Sequence, residues 1–128
     1  MRLYRKMFYL SINGAIRLSR GDSLKLPLTI KDGDPLTYCS YELYPEDVIY
    51  FAIMEPNQAW ENAIVKKVYT YDDLSEDGDV IITLKPTDTM MLLPGLYYYQ
   101  IKLQLYDPES NTIIVNTLNP KTQFWIEE

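Results

Sequence analysis

The run Leu96-Tyr97-Tyr98-Tyr99-Gln100-Ile101-Lys102-Leu103-Gln104-Leu105-Tyr106 constrains this chain more than any other stretch. Tyr97, Tyr99, Ile101, Leu103 and Leu105 alternate with Tyr98, Gln100, Lys102 and Gln104. Successive side chains of a strand point to opposite faces, so this segment is expected to form a ribbon with one buried and one wet surface.

The same period of two recurs along the chain. Leu24, Leu26, Leu28 and Ile30 share a face, with Pro27 on the other. Proline cannot donate to a ladder, which predicts an edge strand or a bulge there. Ile49, Phe51 and Ile53 oppose Val48, Tyr50 and Ala52. Apolar groups on both sides predict a central strand whose second face lies under a loop or a partner. Val80, Ile82 and Leu84 alternate, and Phe124 and Ile126 share a face. Residues 62–70 read as a strand with two competing registers, Ile64 with Val68 or Val65 with Tyr69, and residues 111–118 add another.

Turn chemistry separates these runs: Arg20-Gly21-Asp22, Asp32-Gly33-Asp34-Pro35, Glu76-Asp77-Gly78-Asp79, Pro94-Gly95, Asp107-Pro108 and Asn119-Pro120. One helical turn is expected between Pro86 and Leu92. Short strands spaced by turns, without alternating helices, point to a sandwich or barrel rather than a parallel sheet. A length of 128 residues suits one core.

A local signature narrows the choice. In Leu93-Pro94-Gly95-Leu96-Tyr97, a tight turn enters the long strand and an inward tyrosine follows two residues after the glycine. This is the layout of a tyrosine corner, in which the phenol caps a backbone group across the turn. Tyr99 then stands where antibody domains carry their second cysteine, filling by bulk what a disulfide would fill. Gly95, Tyr97 and Tyr99 are the expected structural corner. The expected fold is all-β: an immunoglobulin-like antiparallel β-sandwich of about seven to nine strands. Residues 1–10 are expected to be an N-terminal arm or first strand, and residues 11–128 a single domain.

Taken in order, IRLSRGDSLKLPLTI, DVIYFAIMEP and DGDVIITLKPTDTMMLLPGLYYYQIKL resemble the N-terminal immunoglobulin-like domain of phage upper baseplate proteins. More loosely, they are similar to the immunoglobulin-like modules of phage tails and heads. The resemblance covers most of residues 12–105. It implies a virion structural protein of baseplate, tail or capsid, made in the bacterial cytoplasm, whose partners are other virion proteins and copies of itself. The baseplate proteins are longer, with a C-terminal part that reaches the receptor-binding protein.

The residue types present narrow the chemistry. A net charge of −6 opposes phosphate neutralisation and anionic lipid alike, so neither nucleic acid nor membrane is an expected partner. The chain has no histidine and a single cysteine, Cys39, which removes Ser-His-Asp and Cys-His systems, most zinc sites and any internal disulfide. The acidic residues cluster in turns, as solvated loops do. Residues 73–80 echo the first half of a calcium loop, but Leu84 stands where the bidentate glutamate is required. The chain is therefore read as a non-enzyme without a cofactor. Arg20-Gly21-Asp22 is read as a turn braced by a local ion pair.

The candidate interface residues are Arg2, Arg5 and Lys6 of the basic arm, expected to dock on the acidic face of a neighbouring copy, and Tyr41, Tyr44 and Trp60 of the less regular stretches. Exposed aromatics suit a protein interface or stacking on sugars, so a carbohydrate-binding or adhesin module is the alternative reading. The register itself is testable. Ile101→Ala or Leu103→Ala should each cost about 2–5 kcal/mol in urea unfolding, and wild-type stability in both would refute it.

Overall fold

The computed structural model describes residues 8–10, 14–32 and 39–128. Arg2, Arg5 and Lys6 lie outside the described residues. Two layers enclose one core. In chain order the strands are β1 (Phe8–Leu10), β2 (Ile16–Ser19), β3 (Leu24–Leu28), β4 (Ile30–Asp32), β5 (Cys39–Ser40), β6 (Val48–Met54), β7 (Val65–Thr70), β8 (Val80–Leu84), β9 (Gly95–Asp107), β10 (Thr112–Thr117) and β11 (Thr122–Glu127). A short helix, α1 (Pro86–Met90), starts on a proline that needs no amide partner at that position.

The larger sheet runs β2-β11-β9-β6-β7, with β10 beside the second half of β9. The facing layer holds the pair β3-β8 and the small set β1-β4-β5. β4 continues β3 after one residue, and β10 and β11 are two halves of one interrupted strand. Counted that way, the eleven segments among the described residues make nine strands. Strand order and connection give an immunoglobulin-like β-sandwich. One pair departs from the antiparallel expectation: β11 runs parallel to β2, Phe124 opposite Ile16 and Ile126 opposite Leu18. The chain crosses between layers after β1, and β2 and β11, the first and last strands of the larger sheet, lie side by side in the same direction.

The alternation read from β9 is the alternation observed, with Tyr97, Tyr99, Ile101, Leu103 and Leu105 buried. They meet Leu28, Ile82 and Leu84 from the facing layer and Ile49, Phe51, Ile53, Phe124 and Ile126 from their own. β3, with Pro27 in it, pairs only with β8 among the described strands, as an edge should. On β6 the second face is covered in part: Ala52 and Met54 are fully buried, and the 3₁₀ turn Trp60–Asn62 packs against the strand. The register of β7 resolves to Val65, Lys67 and Tyr69 inward, opposite Ile53, Phe51 and Ile49.

An inward lysine needs a partner, and α1 supplies it. Lys67 Nζ lies 2.9 Å from Asp88 Oδ2, tying the larger sheet to the helix at the open side of the sandwich. Asp88 Oδ2 also accepts the Lys85 N–H at 2.8 Å, capping the helix. Burial alone would raise the Asp88 pKa. Hydrogen bonds from Lys67 and the Lys85 amide, with both ammonium charges, outweigh it and hold the carboxyl below its ordinary 3.8. Nearby, Tyr69 Oη accepts the Thr83 N–H at 2.9 Å and is 3.4 Å from the Thr83 carbonyl, so one phenol occupies the outer edge of β8.

Asn119-Pro120 is an interruption within one strand, whose second half lies between β2 and β9, rather than a turn between strands. β10 pairs with Lys102–Asp107 and β11 with Gly95–Tyr99. In the gap, the Leu118 N–H donates to the Ile101 carbonyl at 2.8 Å. The buried Asn119 accepts the Ile101 N–H on Oδ1, also at 2.8 Å, and donates from Nδ2 to Thr122 Oγ1 at 3.0 Å. A side chain thus replaces the missing ladder, as a buried amide requires. Asn119→Leu leaves the Ile101 N–H without an acceptor and should cost about 1–3 kcal/mol, with faster hydrogen exchange at that amide. Unchanged exchange there would refute the assignment.

Candidate functional site

The corner forms as the sequence reading expects. Tyr97, inward and buried, donates its hydroxyl to the Leu93 carbonyl at 2.7 Å, across the Pro94-Gly95 turn. Gly95 sits at φ +151, a conformation that side-chain-bearing residues rarely adopt. Two residues on, Tyr99 does more than fill space. Its ring lies 5.9 Å from Phe51 and 6.3 Å from Phe124, the latter edge-on, as aromatic quadrupoles prefer. Its hydroxyl donates to the Gly14 carbonyl at 2.7 Å, fastening the segment that leads into β2. Burial pushes both phenols above their ordinary 10.0; for Tyr97 the charge of Glu55 adds to it, against the charge of Arg20.

The turn Arg20-Gly21-Asp22 is fixed by α1 rather than by an ion pair of its own. Arg20 donates from Nε at 3.1 Å and a terminal nitrogen at 2.9 Å to the Met90 carbonyl, so its guanidinium is used there and not on Asp22. Thr89, fully buried, accepts the Gly21 N–H at 3.0 Å and donates to the Asp22 carbonyl at 2.8 Å. At Gly21 φ is +87, and a Cβ would meet Met90 Sδ at 3.2 Å. The tripeptide is a docking point for the helix, and its geometry is spent on that role.

Tyr41 and Tyr44 come together, and Trp60 stands apart from them. The two tyrosine rings meet edge to face with centroids 6.0 Å apart. Between them sits Asp47, fully buried, whose Oδ2 accepts the Tyr41 hydroxyl and, at 3.0 Å, the Tyr44 N–H. Tyr41 is thereby a strut of the loop entering β6, while Tyr44 stays 48% exposed. Trp60, on the connection beyond the other end of β6, lies beneath Lys102 Nζ at 4.4 Å from the ring centroid. The buried bonding roles of Asp47, Thr89 and Asn119 were not expected from the sequence. Their only signal was a polar residue one or two places from an apolar run.

Two further features complete the surface. The acidic turn uses Asp73 to cap Thr70, with Oδ2 2.8 Å from the Thr70 nitrogen, and Ser75 to close on Asp79. Among the described residues, no group of three acidic or thiol side chains converges as metal ligands would. A groove of about 430 Å³ runs between β3–β4, the loop entering β6 and this acidic turn, with Leu28, Ile30 and Val80 in its floor and Tyr71 and Asp79 at its margin.

No protein-family model matches the chain, and no curated protein matches it. Among solved structures it is similar to AggA, the major subunit of the aggregative adherence fimbriae type I of Escherichia coli, at 6% identity and a TM-score of 0.37 over 95% of each chain. A likeness that faint bears on neither kinship nor role. The immunoglobulin-like assignment stands on strand order and corner.

The raised phenols give a sign for alkaline pH. A group whose folded pKa is raised contributes stability that is fully present below the ordinary 10.0 and is lost as pH rises through the folded values. Tyr97→Phe should cost about 1 kcal/mol at neutral pH and reduce the alkaline loss; a Phe variant with an unaltered alkaline profile would show that the corner phenol is not what titrates.

Proposed function

We propose that the chain is a structural module of a phage virion, working by assembly with other virion proteins and with copies of itself in a baseplate, tail or capsid. The motif order from Arg20-Gly21-Asp22 through the corner supports the phage reading. The observation that carries the assembly reading is where the exposed apolar groups sit. Met91 and Leu93, 65% and 67% exposed, follow a helix held by Thr89, Arg20 and Lys67, and Val68, Ile113 and Val115 project from strands. Large apolar groups left exposed on ordered elements are candidate contact points for other proteins.

A second reading has its own observation. The wet surface of β9 presents Tyr98, Gln100, Lys102, Gln104 and Tyr106 in line, with Trp60 against Lys102. Rings interleaved with amides suit a glycan, as an adhesin or carbohydrate-binding module would use them. Two measurements separate the readings. Quantitative mass spectrometry of gradient-purified particles should find the chain at a fixed ratio to the major tail or capsid protein. Its absence from particles, together with glycan-array binding lost at least tenfold in Trp60→Ala, would replace the first reading by the second.

A further inference from the structure

Among the described strands, every sheet edge but one is guarded. Unpaired backbone groups along an edge recruit other strands, and proteins block them with charge, proline, shortness or a covering group. β7 carries Lys66 and Lys67, and β3 carries Lys25 and Pro27. The outer edge of β8 is occupied by the Tyr69 phenol. β2 has four residues with Arg17 among them, while β1 and β5 have three and two.

Among the described residues, β10 carries no charge or proline, is not short, and has no side chain bonded along its outer edge. Thr112-Ile113-Ile114-Val115-Asn116-Thr117 holds no charge, proline or glycine and is rich in β-branched residues. It pairs only with β9 among the described strands, and β1, which comes near it, has its ladder with β4. Ile113 and Val115 are 63% and 53% exposed. Asn116 Nδ2 is buried with no hydrogen-bond partner among the described residues.

We infer that β10 is a self-pairing edge, on which a second copy of this chain adds its own β10 antiparallel and joins the two larger sheets into one. The partner is a second copy because the segment complements itself in one register. To keep core-facing residues on the core side, opposed residues must be of like parity, since a shift by one turns every side chain over. A two-fold axis through Ile114 meets that condition. It sets Ile113 against Val115 of the second copy, twice, on the outer face, and Ile114 against its equivalent. It also sets Asn116 against Thr112 of the second copy, whose hydroxyl can accept from the amide after rotation about χ2. Apolar thus meets apolar and the unsatisfied donor meets an acceptor, as cross-strand pairs require.

The inference rests on the assembly reading and names one of its contacts. Light scattering on the full chain at high micromolar concentration should give twice the 15.0 kDa chain mass. Ile113→Lys with Val115→Lys places like charges in opposition and should return the mass to one chain, with the circular dichroism spectrum of the wild type. In a Cys39→Ser background, the double variant Ile113→Cys/Val115→Cys should form an intermolecular disulfide under mild oxidation. Ile113→Cys alone should not, because like positions then lie on a diagonal roughly 7–8 Å apart, too far for a disulfide. A wild-type monomer, a dimer that survives both lysines, or equal cross-linking by the single variant would each overturn the edge pairing. A dimer that survives the lysines would leave assembly standing through another face, and the particle measurement decides that reading separately.

Discussion

The main chain of β9 is what the sandwich is hung on. It is hydrogen-bonded to β6 along one side and to β10 and β11 along the other, and its inner residues reach both layers. A long ribbon of this kind needs a fixed start, which the Tyr97–Leu93 bond supplies, and a fixed register, which Asn119 supplies at the point where its neighbour breaks. Buried polar groups elsewhere serve the same end. Thr89 and Asp47 each satisfy backbone groups of a turn from within the core, and directional bonds select one geometry where packing tolerates several.

Charge is used sparingly and at seams. Lys67 points inward yet costs little, because Asp88 meets it at a rim rather than in the deep interior, where desolvation would outweigh attraction. The same contact anchors α1, and α1 in turn positions Arg20-Gly21-Asp22. Ion pair, helix and turn therefore form one unit bridging the layers. The Met91 and Leu93 surface inherits its rigidity from that unit.

What the sequence made legible was periodic: the inward set of β9, the edge character of β3 with Pro27, the single helical turn and the corner. These depend on residues within a few places of one another. The rest depended on partners far along the chain. Tyr99 reads locally as bulk, yet its hydroxyl serves Gly14. Lys67 falls on the outer face in one of the two registers its segment allows, and only the pairing with Phe51 turns it inward. Trp60 and the Tyr41–Tyr44 pair look alike as loop aromatics, and only the fold places them at opposite ends of β6, one against Lys102 and the others around Asp47. The parallel β2–β11 contact had no local signal at all, since it follows from which layer each terminal strand joins.

That parallel contact has a mechanical meaning. Because β2 and β11 point the same way, tension applied between Ile16 and Glu127 pulls the two strands past each other lengthwise. Their cross-bonds are then strained together instead of opening one by one from an end, as in a zipper. A module joined to neighbours through its two ends would resist stretching collectively at this seam.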